Sequence, residues 1–593
     1  MEVWQEENWS SREAYEKHYC DLAYDLELQS KAELKEDKRR WMEADKRLEL
    51  DKAMESFSRG NGPTRTKIHL VPQAVEKHIS VLTDSRPRPA LEARQPPQEQ
   101  MVGALNYLMQ RELDANHFDT LLHKVCLDMM RFHIGCLKVT ISTDNKGPFG
   151  QAKSVKLSKV DPRCLWPDPY AASWRWDDMT FLVVPEVMDV TTIRNKFPLH
   201  GRRVEAEPQW SIGLDDEEAS GSSSMDFPSK NGNGFTIGER HRAVVRELWL
   251  KDQTQIFEPL LDNDGNPKLD DEGEPLGEWI AKYPDGRLII TCNGVVLIDC
   301  PNPFAHGQPP YVFFQHRHST KLFSFGDVEL LARIEDKLDI IHKDMMRNAR
   351  VNINSPWLID DDAVASPELL KRGLTNEEGL TIIKQRGAEI RRLPPAELPQ
   401  FLFPMLQWLG TMFNDLSGVS DIMQGNIQNG TQLSAQAIGN LQGASAKNIQ
   451  IKKRLLEQAI EQLGYVMAWT VRQAYDSPMT LQIPDPTTGV KKEFVWDPLG
   501  KDSIDVFEFD VNVGSGLSGA KSSIAEQAFK MYELDLIDKE QFHSMLRTPN
   551  RDQFLKRMQE RETELAKLGL EANVKKKNNK NGASGRKVKT FDI

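Results

Sequence analysis

The sequence has very few charges in one long stretch, and it has no recognisable catalytic motif. Between Leu398 and Ala446 only Asp415 and Asp421 are charged, although Asp, Glu, Lys and Arg make up 28% of the 593 residues. No G-x-x-x-x-G-K-[ST] pattern occurs, which excludes a P-loop ATPase. No spacing places a nucleophile beside a base and an orienting group, so the sequence predicts no enzyme active site.

Cysteine is scarce, and the six cysteines are scattered along the chain: Cys20, Cys126, Cys136, Cys164, Cys292 and Cys300. No two of them form a C-x-x-C pair, so the sequence predicts neither a zinc site nor a disulfide framework, and the thiols are expected to be reduced. The first residues lack a basic segment followed by an apolar run, so no secretory signal is expected.

Positive charge is also in deficit, since the formal net charge is −12 and the isoelectric point is about 5.7. A tight, general nucleic-acid binder would need a basic field on its surface, so this class is excluded. A protein that lets DNA pass without gripping it remains compatible with this balance. The length predicts several domains with cores of their own.

The charge-poor stretch divides into two unlike halves at Leu416. Residues 398–416 are apolar and aromatic, but they include two prolines and Asp415 and lack flanking basic clusters. A membrane span needs about 20 apolar residues, so a buried protein helix is predicted instead. Residues 417–445 hold neutral amides, hydroxyls and five glycines, a composition typical of a flexible uncharged loop.

The remaining sequence alternates between helical and mixed patterns. Residues 10–57 are dense in charge and helical in spacing, which we interpret as a solvated helix held by ion pairs four residues apart. Residues 64–320 mix helical spacing, as over 98–131, with strand-like runs such as Arg287–Cys292 and Tyr311–Gln315. From Phe325 an apolar stripe recurs at intervals of three and four residues, and 433–475 predicts a longer helix. The tail at 575–589 is basic and is expected to be disordered.

Two small clusters keep a metal-binding alternative open. His316 and His318 would share one side of a strand at a spacing that suits a metal, although no third ligand is evident. Asp360–Asp362 offers carboxylate oxygens, but a solvated turn is the more common role of such a run. The alternative function is therefore a membrane-associated or metal-dependent enzyme built around residues 398–416 or these clusters.

Four stretches follow one another in a recognisable order. They are the segment that ends in ISVLTDSRPRPAL (69–91), the turn VDPRCLWPDP (160–169), the helix from FGDVELL to NINSP (325–356) and LSGVSDIMQG (416–425). Together they resemble the portal, or head-to-tail connector, proteins of tailed bacteriophages over roughly residues 65–545. The order of the stretches carries the resemblance, because none of them is specific alone.

The resemblance implies an α+β, portal-type fold that assembles as a ring. Together with the composition, it divides the chain into a charged N-terminal helical segment (1–58), an α+β wing (59–320), a first stem helix (321–350), a small α/β clip (351–397), a second stem helix (398–416), a tunnel loop (417–432), a long kinked helix with returning wing strands (433–515), a helical crown (516–572) and a basic disordered tail (573–593).

The resemblance also implies the function and the partners. Portals are dodecameric rings at one capsid vertex, where they form the channel for genome packaging and ejection. The implied partners are double-stranded DNA, the terminase large subunit, a head–tail adaptor or tail protein, and the major capsid and scaffolding proteins. A virion location, with host cytoplasm during assembly, is implied, and no membrane, cofactor, metal or enzymatic activity is expected.

Three groups of residues are predicted to serve the channel. The tunnel loop would face DNA through neutral groups that attract phosphate only weakly: Gln424, Gly425, Asn426, Gln428, Asn429, Gly430, Thr431 and Gln432. Lys337, Lys343, Arg347 and Arg350 would line the stem, and Phe401, Trp408 and Phe413 would contact the next subunit. The alternatives are a plain surface linker for the loop, pairing with acids such as Asp339 for the cations, and a place in the chain's own core for the aromatic residues.

Overall fold

The computed structural model describes residues 9–48, 69–84, 86–93, 99–143, 153–206, 242–259, 277–319, 321–353, 357–360, 387, 390–392, 399–417, 435–484, 491–496 and 509–513. These segments contain both helices and strands, which confirms the α+β prediction. The helices are α1 (Arg12–Leu48), α2 (Val71–Thr83), α3 (Glu99–Ala115), α4 (Phe118–Phe132), α5 (Val190–Lys196), α6 (Asp327–Ile353), α7 (Leu402–Ser417) and α8 (Ala435–Ala474).

The strands form several antiparallel sheets. The largest has the order β10-β9-β6-β5-β4, with β4 (Trp166–Pro167), β5 (Phe181–Asp189), β6 (Arg242–Leu250), β9 (Arg287–Cys292) and β10 (Val295–Pro301). A second sheet has the order β11-β2-β3, with β2 (Ile134–Ser142), β3 (Ser154–Val160) and β11 (Tyr311–Gln315). Four strand pairs complete the set: β1 (Pro89–Ala93) with β16 (Phe509–Val513), β7 (Gln255–Pro259) with β8 (Gly277–Ala281), β12 (Trp357–Ile359) with β13 (Ile390–Arg392), and β14 (Met479–Pro484) with β15 (Lys491–Trp496).

The five-stranded sheet is covered on both faces, and β9, which lies between β10 and β6, is buried along its whole length. Ile289 points towards α1 and lies in a cluster with Tyr15 and Tyr19. Its neighbours Leu288 and Ile290 point to the opposite face and lie in a second cluster, which contains residues of α5. Since side chains alternate along a strand, this burial requires a cover on each side of the sheet.

The largest core joins the helices to the three-stranded sheet. It contains buried residues of α2, α3, α4, β2, β3, α6, α7 and α8. The predicted stripe on α6 lies in this core, where Leu331 and Leu338 are almost completely buried. The α8 helix spans 40 residues, or about 60 Å at 1.5 Å per residue. At its end Tyr475 donates a hydrogen bond of 2.8 Å to Glu112 of α3.

Helix α1 corrects the prediction of a solvated helix. Its predicted helical character is confirmed over Arg12–Leu48, but one face packs against the sheets and buries Trp41. Charged residues on this face also have partners outside the helix, since Glu16 pairs with Arg203 at 2.6 Å and Glu27 with Arg246 at 2.6 Å. Sequence spacing reveals acids and bases on one helix, but it cannot reveal bases that come from elements about 190–220 residues away.

The Asp-Pro turn in the second resembling stretch has a structural role. Asp161 accepts a hydrogen bond of 2.9 Å from the backbone N–H of Arg163 and caps a short helical turn. Asp168 accepts a hydrogen bond of 3.0 Å from the backbone N–H of Tyr170 and one of 2.5 Å from the Thr180 hydroxyl. Both carboxylates therefore satisfy backbone donors at the edge of β4.

Candidate functional site

Helices α6 and α7 lie antiparallel. The evidence is His78, which contacts the first residue of α6 and the last residue of α7. His78 of α2 places its Nδ1 3.2 Å from a carboxylate oxygen of Asp327, the first residue of α6. Its Nε2 contacts the backbone carbonyl of Ser417, the last residue of α7. The start of α6 and the end of α7 are therefore neighbours, and the two helices run side by side away from this point.

Helix α7 is covered by its own chain along one line. Leu409 and Phe413 are 2% and 4% exposed, and they share a core with Leu338 and Ile341 of α6. Because successive helical residues are about 100° apart, Leu409 and Phe413 point in nearly the same direction. These two residues attach α7 to the core and leave the flanks on either side of them uncovered.

One flank of α7 carries exposed apolar side chains at intervals of four, three and four residues: Phe401, Met405, Trp408 and Met412. This spacing keeps side chains on one face of a helix, and we call this face the stripe flank. Phe403 is 60% exposed and lies about 140–160° around the helix from Trp408 and Phe401. We call its side of the helix the Phe403 flank.

The exposed apolar surface of α7 is large for one helix. Phe401, Phe403 and Trp408 are each at least 60% exposed, and an aromatic side chain carries about 150–250 Å² of surface to bury. A monomeric soluble protein rarely leaves a contiguous apolar patch larger than a few hundred Å² in water. The stripe flank is therefore a candidate surface for contact with another protein.

The three aromatic residues predicted to contact another subunit have different surroundings. Phe401 and Trp408 are 64% and 60% exposed on the stripe flank, so both are available to a second chain. Phe413 is already buried in the core of its own chain, which is the alternative that the sequence left open for it. Of the three, Phe401 and Trp408 are therefore the candidates for contact with a second chain.

The predicted cationic residues of α6 also differ from one another. Lys343 forms an ion pair with Asp339 one turn earlier, in accordance with the pairing alternative. Lys337 and Arg347 are exposed, and the side chain of Arg350 lies outside the described part of the chain. A salt bridge between neighbouring turns is worth only a few tenths of a kcal/mol, so Lys343 is held weakly.

A buried ion cluster lies where α6 begins, and we call it the Asp327 cluster: His78, His316, Asp327 and Lys452. Asp327 is 3% exposed and His316 is fully buried. The same oxygen of Asp327 faces His316 Nε2 at 3.0 Å and the Lys452 ammonium, and Arg317 lies 3.8 Å from the other oxygen. The cluster therefore joins α2, α6, α8 and the segment after β11.

The charges within the Asp327 cluster follow from these contacts. Burial alone would raise the pKa of the Asp327 carboxyl, but the two imidazoles and Lys452 hold that pKa well below its usual range. Burial lowers the pKa of His316 and outweighs the opposite effect of Asp327. Asp327 is therefore a carboxylate with cationic partners.

A glycine fixes the position of Asp327. A Cβ atom on Gly326 would lie 2.3 Å from the Met130 carbonyl oxygen and 2.9 Å from that of Arg131. These carbonyls are part of α4, so the chain can approach α4 this closely only where it has no side chain. The close approach sets the start of α6, and a carboxylate at the first turn is also favoured by the helix dipole.

Several predicted site residues lie outside the described part of the chain. All eight tunnel-loop residues fall within 418–434, which directly follows Ser417, and Asp361 and Asp362 fall within 361–386. His316 and His318 follow the end of β11 at Gln315, with His316 buried in the Asp327 cluster and His318 exposed. Among the described residues, no group of three or more histidine, cysteine or acidic side chains is placed to hold a metal.

The membrane alternative rested on the apolar half of the charge-poor stretch. Within the segments that the structure describes, no helix is long and apolar enough to span a bilayer. Helix α7 has 16 residues, whereas a span needs about 20.

Sequence reasoning missed two features of this site. The Asp327 cluster draws on residues 78, 316, 327 and 452, and no local pattern connects positions so far apart. Phe403 did have a signal, because counting about 100° per residue from Trp408 already places it on the other side of a helix. That count could have divided the aromatic residues of α7 into two groups.

The comparisons with known proteins agree with the resemblance. The family of phage P22-like portal proteins matches residues 17–579, which is nearly the whole chain. The chain therefore belongs to the P22-like portal protein family, whose members are structural, non-enzymatic proteins of phage particles.

Solved structures also match the chain. A chain from the virion of a native gene transfer agent particle is 7% identical, and the alignment covers 81% of this chain and 90% of that one at a TM-score of 0.37. No curated protein matches the sequence. The assignment therefore depends on the family match.

Proposed function

We propose that twelve copies of this chain form a ring at one vertex of a phage capsid, and that DNA enters and leaves the particle through the ring. The observation that carries the proposal is the bare stripe flank of α7 in a chain that belongs to the portal family. A ring gives each copy two neighbours, and their contacts would cover apolar surface that one chain leaves in water.

In this proposal α6 and α7 are the two stem helices, and the clip includes the pair β12–β13. The sheets and α1 to α5 form the wing, α8 is the long helix, and residues 516–572 form the crown. The clip would dock the terminase motor during packaging and an adaptor or tail protein afterwards. The wing would contact the capsid and scaffolding proteins.

The channel surface is proposed to hold DNA weakly. Duplex DNA carries one negative charge per about 1.7 Å of its axis, so a lining rich in lysine and arginine would bind it tightly. The neutral residues 424–432 begin seven positions after the end of α7 at Ser417 and would meet DNA without such attraction. Lys337, Arg347 and Arg350 would add sparse positive charge to the stem, unless neighbouring copies cover them.

Ring assembly is tested with Trp408→Ala. We expect the wild-type protein to form rings with a central hole under negative-stain microscopy. Removing Trp408 should raise the concentration needed for half-assembly at least about tenfold, because a central aromatic contact is worth about 2 kcal/mol or more. Native mass spectrometry across a dilution series measures the shift.

The matched control is Tyr170→Ala, which removes an aromatic residue that is 74% exposed near β4. We expect its half-assembly concentration to equal that of the wild type. A wild-type chain that remains monomeric at every concentration would refute the ring, and equal effects of the two variants would refute the role of the stripe flank.

The channel is tested by adding charge to the tunnel loop, with Gln428→Lys and Asn429→Lys in one variant. Because each copy would add two positive charges around the DNA, we expect packaging to slow and to become sensitive to salt. Gln428→Ala with Asn429→Ala is the control for loss of the amides alone. Wild-type rates of packaging and ejection in the lysine variant would argue that the loop does not meet DNA.

A further inference from the structure

The aromatic surface of α7 has two unlike sides, and a ring needs two unlike sides. We infer that the stripe flank of one copy packs against the Phe403 flank of the next copy, so that one contact repeats around the ring. This inference rests on the proposed ring. It adds the direction of the contact, a role for Phe403 and a reason for the low charge of α7.

Helix α7 has one exposed flank on each side of its attachment to the core. Leu409 and Phe413 anchor the helix to its own core, and Phe401 and Phe403 lie on opposite sides of that anchor line. With about 100° per residue, Trp408 lies about 100° to one side of Leu409 and Phe403 about 120° to the other. A helix placed in this way can contact one neighbour on each side.

The symmetry of an assembly decides which flanks of α7 can meet. A two-fold dimer uses the same patch on both copies, so it would cover the stripe flanks and leave Phe403 in water. A contact between two different patches leaves a free patch at each end of a growing chain of copies, and it closes only as a ring. Exposed apolar surface on both flanks therefore favours the second arrangement.

The residues of the two flanks also lie at nearly the same position along the axis of α7. Phe403 is two residues from both Phe401 and Met405, which is about 3 Å along the helix axis. A closed ring relates its copies by rotation alone, so equivalent residues lie at the same height. If α7 runs along the ring axis, Phe403 of one copy therefore meets Phe401 and Met405 of the next without any shift along the channel.

The charge-poor composition of α7 supports the same contact. Identical helices at equal height bring like charges close together wherever the helix carries them. From Leu402 to Ser417 the sequence contains only one charged residue, Asp415, next to the end of the helix. The absence of charge over the rest of α7 is what a contact between identical helices requires, since buried like charges are strongly unfavourable.

The test combines two single-cysteine variants, Phe403→Cys and Met405→Cys, each with Cys20→Ser and Cys300→Ser. These two native cysteines are the partly exposed ones, and the other four are buried. The two variants are expressed separately and together, rings are isolated, and mild oxidation is followed by a non-reducing gel. We expect disulfide-linked dimers only after co-expression, because each variant alone lacks one half of the contact.

Each result of this test has a separate meaning. Dimers from Met405→Cys alone would show that two stripe flanks meet, which overturns the inference. Rings without any linked dimers after co-expression would also overturn it, while the proposed ring would stand. Failure of the wild-type chain to form rings would refute the proposed function and the inference with it.

A second measurement does not depend on disulfide formation. Phe403→Ala should raise the half-assembly concentration at least about tenfold, as Trp408→Ala does. The control is Thr411→Ala, an exposed polar residue of the same helix that points away from Leu409 and Phe413 and lies between the two flanks. Wild-type assembly of Phe403→Ala would overturn the inference even if Trp408→Ala weakens the ring.

Discussion

The Asp327 cluster lies beside the end of α7, but the cluster and the flanks of α7 differ in their partners. The cluster has its partners within one chain, and the flanks do not. At the cluster every member faces an oppositely charged or polar group of the same chain within the described residues. On the flanks, aromatic side chains remain more than half exposed. Within the described residues, one chain thus provides charged partners for the Asp327 cluster and leaves the apolar flanks of α7 uncovered.

This difference has a physical reason. An unpaired buried charge destabilises a fold by several kcal/mol, so ions must be matched before the chain can be stable. Exposed apolar surface is tolerated in the monomer, and it stabilises an assembly when it is covered. We therefore expect changes at the cluster to act on folding and changes on the flanks to act on assembly.

The largest effect on folding is expected for Asp327→Asn. It removes the negative charge that faces Lys452, and the loss of one partner of a buried ion pair typically destabilises by about 3–5 kcal/mol. Denaturant unfolding of dilute, monomeric protein measures this change in the free energy of unfolding.

Asp336→Asn is the matched control, because Asp336 lies on the same helix and pairs with Arg47 at 2.6 Å while remaining about half exposed. We expect a loss of at most about 1 kcal/mol there. If the two variants were equally stable, the Asp327 cluster would not be the buried electrostatic centre described above.

Two phenylalanines at α7 distinguish an effect on folding from an effect on assembly. Phe413→Ala removes a buried side chain, and we expect a loss of about 3 kcal/mol or more in the free energy of unfolding. Phe401→Ala should change the stability of the monomer by less than about 0.5 kcal/mol and weaken assembly instead. Unfolding curves below the half-assembly concentration, and mass spectrometry above it, distinguish the two. The reverse pattern would contradict the division of α7 into a core line and exposed flanks.

Local patterns predicted most of the described secondary structure. The strands Arg287–Cys292 and Tyr311–Gln315 begin and end where the strand-like runs of the sequence predict. The helical stripe of α6 is also confirmed. The helical spacing predicted over residues 98–131 is interrupted, because His117 has a φ of 51° and a new helix starts at Phe118. A single residue in the left-handed region leaves no trace in apolar spacing.

The candidate site was less predictable, because it depends on contacts between distant residues. Composition located α7 and its low charge, and two of the three aromatic residues predicted to contact another subunit, Phe401 and Trp408, are exposed in their own chain. It did not distinguish them from Phe413, since burial depends on which side of the helix the core approaches. Nor did it connect Asp327 with His78, as no local rule acts over some 250 positions.

The smallest effect at neutral pH is expected from the titration of a residue next to the Asp327 cluster. His133 is buried, and burial, with the charges of His316 and Arg317, lowers its pKa to about 3. In the unfolded chain the ordinary pKa is about 6.5, so the unfolded state binds a proton first as the pH falls. Stability from this residue is complete above about pH 6.5, and it declines as the pH falls towards 3, by up to about 1.4 kcal/mol per pH unit.

His133→Asn should therefore reduce the slope of stability against pH between pH 6.5 and 4. Asparagine suits the site because His133 has a φ of 68°, a left-handed conformation that asparagine adopts readily. The slope is measured from urea unfolding at half-unit intervals of pH, so a constant loss from the smaller side chain does not affect it. His123→Asn is the control, since that imidazole is exposed on α4 and is hydrated in both states. An unchanged slope in His133→Asn would show that acid sensitivity arises elsewhere, first of all at His316 and His306, where burial also lowers the pKa.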